Sequence, residues 1–372
     1  MKLRTVFKWT RRVILAAVLV SAGWVFVAYW MSTNDCDRRT NAIHPMKAVR
    51  YCEYGRPDAV LKIEQVEKPV PNDNQILVRV RAVSLRFFDG GMLGGSIPGR
   101  LLFGLRKPKN TIPGSDFAGT VEAAGSNVTE FKPGDEVFGV RAGCLAEYIC
   151  VRADRGAVVL KPANVNFEQA ASIPTALVAL QGLRDTGQVR AGQKVLINGA
   201  SGGVGTFAVQ IAKALGAEVT GVCSTRNLDL VRTLGADRVI DYTKDDFTKG
   251  DERYDVVYDL VSNRSWAERR RILKPGGICV LAGIGGSGIH EETLSRIVGV
   301  LFTSLRSKFG NEKFVQFGVD ISKKDLGVLR DMTESGKVMP ALTKTYPLSE
   351  TAAAYNYLET GHAQGKIAIT IE

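Results

Sequence analysis

A glycine-rich stretch between a strand and a helix constrains this chain more than any other feature of its sequence. The stretch is Asn-Gly-Ala-Ser-Gly-Gly-Val-Gly at 198–205, directly after the predicted strand Lys194–Ile197 and directly before the helical pattern 206–215. Glycine lets the backbone turn tightly and approach a pyrophosphate, and free N–H groups at the start of a helix hold an anion. The order of strand, loop and helix predicts a dinucleotide-binding unit. The alternative is a strand-to-helix turn that holds no ligand.

The residues of this loop and of the next strand end are the candidates for holding a cofactor. From the loop they are Ser201, Gly202, Gly203 and Val204. About twenty residues on, where an NAD-selective site places a carboxylate on the ribose 2′-OH, this chain has Ser224, Thr225 and Arg226. Hydroxyls and a guanidinium favour a 2′-phosphate, so we expect NADPH as the cofactor. Arg226 could instead be a solvated charge at a helix start, and Tyr242 could stack beside the adenine or simply pack.

The rest of the body divides by its hydrophobic pattern. From Met46 to about residue 148, short alternating strands are separated by Gly and Pro turns, which indicates an all-β, barrel-like domain. From residue 194, apolar strands alternate with helical stretches, which is typical of a parallel sheet covered on both faces. The pattern therefore predicts an α/β protein with two kinds of sheet.

A charge-free apolar run occupies Val13 to Met31 and follows five basic residues. At about 1.5 Å per residue, a helix of this length spans roughly the 30 Å core of a bilayer. We therefore expect a single-pass N-terminal membrane anchor; a cleaved signal peptide and a chain start at Met46 are the alternatives. The positive-inside rule places the body outside, whereas the need for a cofactor pool places it on the cytoplasmic side, which we prefer.

Charge and cysteine content exclude some partners. The net charge is +11, of which residues 1–45 contribute +5. No basic run is interleaved with aromatic residues, so we expect no nucleic-acid partner. The 6 cysteines contain no Cys-x-x-Cys pair, and only 3 histidines are present. We therefore expect no metal site, and reduced thiols rather than a disulfide framework.

Several motifs together resemble those of the medium-chain dehydrogenase/reductase superfamily, in its quinone oxidoreductase branch. Besides the glycine loop, they are Ile-Pro-Gly-Ser-Asp-Phe-Ala-Gly at 112–119, Pro-Gly-Asp-Glu-Val at 133–137, Leu-Gly-Ala-Asp at 234–237, Leu-Lys-Pro-Gly-Gly at 273–277 and Gly-His-Ala-Gln-Gly-Lys at 361–366. The resemblance implies a GroES-like β-barrel catalytic domain interrupted by a Rossmann domain with a doubly wound parallel sheet, and an active site in the cleft between them. It adds Gly283 and Lys366 to the cofactor candidates.

The resemblance also implies the domain bounds. They are 1–45 for the anchor and linker, 46–172 for the first part of the catalytic domain, 173–320 for the Rossmann domain and 321–372 for the C-terminal part of the catalytic domain.

Zinc-dependent members of the superfamily hold the metal at three positions, which in this chain carry Arg86, Ser115 and Thr175. None supplies the thiolate or imidazole that zinc prefers, so the resemblance implies a zinc-free protein. Zinc-free relatives often carry Asn at the position of Arg86. The cation either stabilises negative charge on the substrate oxygen or pairs with Asp89. Asp89 in turn is either an acid or a cap of the backbone.

These features lead to one functional prediction and two alternatives. We expect a zinc-independent, NADPH-dependent oxidoreductase that transfers hydride to a small lipophilic electrophile such as a quinone or an enone, with Arg86 and Asp89 as catalytic candidates. The alternatives are an enoyl or alkenal reductase of the same family and a non-catalytic, NADPH-binding membrane adaptor. A homodimer is a further expectation. The apolar and basic stretch 96–109 either touches a bilayer surface or packs into its own domain.

Overall fold

The structure is a computed structural model of the chain, and it describes residues 27, 29–30, 33–37, 42–96, 99–100, 103–283, 312–316 and 318–372. The strands are β1 (Pro45–Arg50), β2 (Lys62–Glu67), β3 (Gln75–Ser84), β4 (Asp116–Ala124), β5 (Glu136–Val140), β6 (Tyr148–Arg152), β7 (Ala157–Leu160), β8 (Lys194–Asn198), β9 (Glu218–Cys223), β10 (Arg238–Asp241), β11 (Tyr254–Asp259), β12 (Leu273–Leu281), β13 (Lys313–Gln316), β14 (Leu342–Pro347) and β15 (Lys366–Thr370). The α-helices are α1 (Pro57–Val60), α2 (Phe87–Leu93), α3 (Phe167–Ser172), α4 (Ala176–Gln181), α5 (Gly203–Ala214), α6 (Leu228–Thr233), α7 (Trp266–Arg271), α8 (Lys323–Glu334) and α9 (Thr351–Glu359).

Strands β8 to β13 form a parallel, 6-stranded sheet in the order β10-β9-β8-β11-β12-β13. Counted from β8, this is the doubly wound order of a dinucleotide-binding fold. The central strand is apolar because both faces of the sheet are covered, and its residues Val195, Leu196 and Ile197 are each 0% exposed. The strand order reverses between β8 and β11. A ligand crevice is therefore expected outside the carboxyl ends of these two strands.

A second, mainly antiparallel sheet has 7 strands, and β1 and β2 form a separate 2-stranded ribbon. The strand order of the 7-stranded sheet is β14-β15-β3-β4-β5-β7, and β6 also pairs with β3. The C-terminal strand β15 joins the sheet by pairing antiparallel with β3, where Ala368 lies opposite Ser84. The end of the chain therefore returns to its first half. This pairing places the residues just before β15 beside the glycine loop and the residues just after β3.

The two sheets match the α/β part of the predicted fold class, with a barrel-like and a doubly wound sheet. The bounds at 45, 172 and 320 stay a prediction.

The transmembrane helix in the fold prediction is wrong. A helix needs about 20 consecutive apolar residues to cross the hydrocarbon core of a bilayer. No helix among the described residues is long and apolar enough to do so. The predicted span Val13 to Met31 lies largely outside the described residues, which include only Val27, Tyr29 and Trp30 of it. The predicted single-pass anchor and the membrane localisation derived from it are corrected accordingly.

The expectation of six reduced thiols also needs correction. Cys36 and Cys52 form a disulfide, with their Cα atoms 5.8 Å apart. The side-chain amide of Asn34 donates to the Cys52 carbonyl oxygen at 3.0 Å, so the bridge and this hydrogen bond tie the segment before β1 to the loop after it. The remaining cysteines are free and buried: Cys144, Cys150, Cys223 and Cys279.

Chemical labelling of cysteines before and after reduction is expected to detect this disulfide. Denatured without a reductant, the protein should react with iodoacetamide at every cysteine except Cys36 and Cys52, and after reduction at all 6. Intact mass distinguishes the two results. Replacing both bridged cysteines by serine should lower the free energy of unfolding by about 3 kcal/mol, because the unfolded chain regains the entropy of an open loop. Full labelling before reduction would show that the bridge does not form.

Candidate active site

The glycine loop lies at the carboxyl end of β8, at the crevice where the strand order reverses. Gly199 follows the strand with φ +90°, a backbone conformation that other residues rarely adopt. A Cβ at Gly205 would fall 2.0 Å from the Gly199 carbonyl oxygen, so only glycine lets α5 start this close to the loop. The first N–H groups of a helix have no partner within it, and the start of α5 at Gly203 therefore suits an anion.

The C-terminal turn, residues 361–366, lies against this loop. The backbone N–H of Gly365 donates to the Ser201 carbonyl oxygen at 2.9 Å. The stem of Lys366 passes the first residue of α5, since a Cβ at Gly203 would lie 3.1 Å from Lys366 Cδ. The predicted loop residues are thus neighbours at one end of α5: Ser201, Gly202, Gly203 and Val204.

The residues after β9 form a hydrogen-bonded cluster beside the loop. The side-chain amide of Asn227 donates to Ser201 Oγ at 3.0 Å and to Ser224 Oγ at 3.1 Å. Arg226 Nη2 donates to the carbonyl oxygen of His362 at 2.8 Å. The predicted selectivity residues therefore lie between the glycine loop and the C-terminal turn.

A carboxylate that the sequence argument did not take into account lies beside Thr225. Asp241 ends β10, and the pairing of β10 with β9 sets it opposite Cys223. Its Oδ2 accepts from Thr225 Oγ1 at 2.5 Å, and its Oδ1 accepts from Thr243 Oγ1 at 2.7 Å. The hydrogen bond from Thr225 is the main reason that the pKa of Asp241 lies below its usual value. The strand order is the signal that could have found it, because it sets the end of β10 next to the end of β9.

Tyr242 and Gly283 lie along the same edge of the parallel sheet. Tyr242 is 49% exposed, and its backbone N–H donates to the Cys223 carbonyl oxygen at 3.0 Å. The Tyr242 ring is thus not part of the core. Gly283 follows β12, where a Cβ would lie 2.1 Å from the Leu260 carbonyl oxygen, so the close approach of two chain segments requires glycine there.

On the barrel side, Arg86 is bound to a buried carboxylate. Arg86 directly precedes α2, and Asp116 is the first residue of β4. Arg86 Nε donates to Asp116 Oδ2 at 2.7 Å, and Arg86 Nη2 donates to Asp116 Oδ1. The Asp116 side chain is 0% exposed, whereas the Arg86 side chain is 26% exposed. The guanidinium therefore pairs with Asp116 and not with Asp89.

Asp89 caps the helix that follows Arg86. Its Oδ2 accepts from the backbone N–H of Arg86 at 3.0 Å, and the residue is 7% exposed. Burial raises the pKa of Asp89 to about 6, and the charge of Arg86 opposes the rise. Of the two roles expected for Asp89, the cap is the one that its hydrogen bond describes. Its role as an acid stays a prediction.

Thr175 and Lys366 complete the surroundings of Asp116. Thr175 Oγ1 donates to Asp116 Oδ2 at 3.0 Å, and Lys366 Nζ donates to Thr175 Oγ1 at 2.8 Å. Lys366 Nζ also donates to the Leu85 carbonyl oxygen at 2.7 Å. Lys366 is 3% exposed, and burial lowers its pKa to about 8. We call Arg86, Asp116, Thr175 and Lys366 the Asp116 network.

The positions that match the zinc ligands do not fit a zinc ion. Arg86 and Thr175 both donate to Asp116, and Ser115 directly precedes it in the chain. None of the three is a thiolate, an imidazole or a carboxylate, and a guanidinium repels a metal ion. In the ranges that the structure describes, no group of three or more His, Cys, Asp or Glu side chains could hold a metal.

The chain is similar to known proteins in its sequence and in its fold. Two family models match the chain, described as an alcohol dehydrogenase GroES-like domain at 72–163 and a zinc-binding dehydrogenase at 234–369. The chain is 34% identical over 340 residues to an NADPH-dependent alkenal/one oxidoreductase of Arabidopsis thaliana, covering 87% of this chain and 79% of the relative. It is 31% identical over 335 residues to a quinone oxidoreductase of Rattus norvegicus, covering 87% and 96%. A solved structure of a quinone oxidoreductase from Coxiella burnetii matches with a TM-score of 0.75 at 31% identity, covering 88% and 100%.

These similarities confirm the resemblance that the motifs predicted, and with it the predicted oxidoreductase function. The name of the Arabidopsis relative agrees with the cofactor expected from residues 224–226. One family is described as zinc-binding, but in this chain Arg86, Ser115 and Thr175 stand at the positions of the zinc ligands, and none of these side chains is a zinc ligand.

The substitution Asp89→Asn is expected to remove a pH dependence of stability. The pKa of Asp89 is about 6 in the folded protein against 3.8 ordinarily, so between these values the native state holds a proton that the unfolded chain has lost. Native stability therefore falls as the pH rises through this window, by about 3 kcal/mol. Asn keeps an oxygen for the cap but cannot ionise. Urea unfolding of both proteins across the window measures the difference.

The matched control is Asp58→Asn, at a carboxylate that is 50% exposed. It leaves Asp89 in place, so the fall in stability that Asp89 causes should remain. Parallel profiles for the wild type and Asp89→Asn would mean that Asp89 is not held in the environment described here.

Proposed function

Because this chain belongs to the medium-chain dehydrogenase/reductase superfamily, we propose that it reduces quinones or enones with NADPH and without a metal ion. The observation that carries the proposal is the pair of Arg86 with Asp116, which puts a fixed cation at a position where metal-dependent members hold zinc. Each of these electrophiles gains negative charge on an oxygen when hydride is added, and a fixed cation stabilises that charge.

The crevice beside the glycine loop fits NADPH. The first turn of α5 offers its N–H groups to a pyrophosphate. Ser224 and Arg226 offer a hydroxyl and a guanidinium to the 2′-phosphate, and the bond from Arg226 to His362 is exposed, so the guanidinium can turn to a ligand. Asp241 brings a negative charge to this region, so the preference for NADPH rests mainly on Arg226. When bound, NADPH supplies the hydride.

Arg86 is assigned to the substrate oxygen. Asp116 accepts from Nε and Nη2 of Arg86, which leaves both N–H groups of Nη1 and one of Nη2 for the substrate. The paired carboxylate fixes the plane of the guanidinium before the substrate arrives. A donor held in this way stabilises the oxyanion without reorganising during the reaction.

The proton that completes the reduction is assigned to water. The side chain of Arg86 is 26% exposed, so solvent reaches the place where the substrate oxygen would lie. Asp89 is buried, and one of its oxygens is engaged by the backbone of Arg86. In this proposal Asp89 holds the start of α2 in place and does not supply the proton.

Alkenals and enoyl thioesters are the second candidate class of substrate. The Arabidopsis relative is named for alkenals and enones, and their carbonyl oxygen can accept from Arg86 in the same way. Like a quinone, each of these compounds would present a carbonyl oxygen to the same donor.

The partners of the chain are proposed on the same basis. A lipophilic electrophile suits the site, because the apolar side chain of Phe87 is 41% exposed directly beside Arg86 in the sequence. The homodimer stays a prediction, which sedimentation at several protein concentrations measures.

A substrate panel tests the proposed function. NADPH oxidation is followed with quinones, enones, alkenals and enoyl thioesters, and each reaction is repeated with NADH. Turnover of one of these classes supports a reductase and ranks the substrates. Binding of NADPH without turnover of any electrophile would overturn the proposal in favour of a non-catalytic protein.

The substitution Arg86→Met is expected to lower kcat by about 100-fold, because the oxyanion loses its donor. It also strands the buried charge of Asp116, which costs about 3 to 5 kcal/mol of stability. The double variant Arg86→Met with Asp116→Asn removes that charge, so it should fold like the wild type and remain slow. Turnover and urea unfolding are measured for both. Arg56→Met, at a side chain that is 82% exposed, is the control. A fast double variant would refute the role of Arg86.

The substitution Arg226→Gln is expected to raise the KM for NADPH by about tenfold and to leave that for NADH unchanged, since only NADPH carries the 2′-phosphate. Steady-state kinetics with each cofactor measure the ratio. Arg232→Gln, at a side chain that is 58% exposed, is the control. An equal change for both cofactors, or faster turnover of the wild type with NADH, would show that Arg226 does not select the phosphate.

A further inference from the structure

Lys366 contacts the Asp116 network at a place where a lysine is costly. It is the first residue of β15, it is 3% exposed, and an ammonium loses its hydration when it is buried. Two of its donors have partners, the Leu85 carbonyl oxygen at 2.7 Å and Thr175 Oγ1 at 2.8 Å. A buried cation with defined partners on two separate elements suggests a specific role.

Both contacts lead to Arg86 by different routes. The first reaches its backbone, because Leu85 directly precedes Arg86, and the Leu85 N–H also donates to the Ile367 carbonyl oxygen at 3.1 Å. The start of β15 therefore holds both polar groups of the Leu85 backbone. The second route reaches the guanidinium, because Thr175 Oγ1 donates to the carboxylate that binds it.

We propose that Lys366 is a positioning residue, which fixes the backbone of Arg86 through Leu85 and its guanidinium through Thr175 and Asp116. This inference rests on the proposed function, in which Arg86 holds the substrate oxygen. Lys366 acts through these residues and does not touch the substrate.

This role differs from cofactor binding, which the resemblance implied for Lys366. Only the stem of the side chain lies near the glycine loop, since Cδ is the atom that a Cβ at Gly203 would meet. The ammonium nitrogen Nζ itself donates to the Leu85 carbonyl oxygen and to Thr175 Oγ1. Loss of a cofactor contact would raise the KM for NADPH, whereas loss of a positioning contact would lower kcat.

The charge of Lys366 also balances the site. The charged groups that face it are Arg86 and Asp89 from the α2 segment and Asp116 from β4, and the thiol of Cys144 lies near both carboxylates. With the ammonium charged, the two cations offset the two carboxylates. Once it is deprotonated, an excess negative charge faces the place where the oxyanion forms. Turnover is therefore expected to fall as the pH rises through about 8, the value to which burial lowers the pKa of Lys366.

Four variants test the positioning role. Lys366→Met removes the cation, and Lys366→Arg keeps a charge that does not titrate in this range. Thr175→Val breaks the hydroxyl bridge without changing charge, and Thr175→Ser restores the hydroxyl. The control is Lys62→Met, on the exposed side of β2. For each protein, kcat is measured against pH, and NADPH affinity is measured separately by fluorescence.

The expected result is a split between chemistry and binding. Lys366→Met and Thr175→Val should lower kcat by about 10- to 100-fold, as small misplacements of a reacting group do, with NADPH affinity changed by less than about twofold. Thr175→Ser should retain most of the activity. The fall in kcat near pH 8 should disappear in Lys366→Arg. Weaker NADPH binding with an unchanged kcat, or the same fall with pH in Lys366→Arg, would overturn the inference.

A measurement without substrate separates this inference from the proposed function. Between pH 8 and 10.5 the unfolded chain holds a proton on Lys366 that the native state has lost, so stability should rise with pH in the wild type relative to Lys366→Met. A flat difference in urea unfolding would show that the ammonium is not buried as described. An inactive wild type with this stability profile intact would instead refute only the proposed function.

Discussion

The buried carboxylate of Asp116 is the constraint on which the site depends. An ionised carboxylate without water must be matched by cations and hydrogen bonds, or it destabilises the fold. Arg86 and Thr175 donate to it directly, and Lys366 reaches it through Thr175. These residues come from the start of α2, the turn before α4, and the start of β15. The charge of one aspartate therefore ties together separate segments around the cleft.

The C-terminal turn links the two sheets at the same place. The carbonyl oxygen of His362 accepts a hydrogen bond from Arg226, which follows β9. Gly365 donates a hydrogen bond to Ser201 of the glycine loop, and Lys366 directly follows Gly365 in the chain. One short segment thus touches the crevice proposed for the cofactor and the network proposed to hold the substrate oxygen. Hydride transfer requires the relative position of the two reactants to be set to within a fraction of an ångström, and this shared segment contacts the residues proposed to hold each of them.

The Asp116 network also shows how a fold can supply positive charge without a metal. A zinc ion offers a compact charge with exchangeable ligands, whereas a guanidinium offers directed N–H groups whose plane is fixed by the carboxylate it binds. The cation at Arg86 is therefore oriented by hydrogen bonds, and its orientation depends on neighbours that never touch the substrate. In the proposed mechanism, positioning through Leu85 and Thr175 matters for this reason.

Local sequence determined the parts of this protein that depend on neighbouring residues. The glycine loop at 198–205 and the apolar strand before it predicted the dinucleotide-binding unit, because a tight turn, a helix start and a buried strand are set over a few residues. Apolar periodicity predicted the two kinds of sheet for the same reason. The membrane-spanning helix predicted from an apolar run was wrong, since no helix in the described part of the chain is long and apolar enough. Cysteine spacing did not reveal the bridge from Cys36 to Cys52.

Only the tertiary structure decided which charges meet. From the sequence, Arg86 was expected to pair with Asp89 or to face the substrate, yet its partner is Asp116, which lies 30 residues away. Lys366 likewise donates to a carbonyl oxygen 281 residues before it. Asp241 lies beside Thr225 because two parallel strands end at the same edge. Such contacts follow from strand order and from the pairing of β15 with β3, which bring distant residues together. Sequence periodicity carries no information about that distance, because it repeats within a few residues.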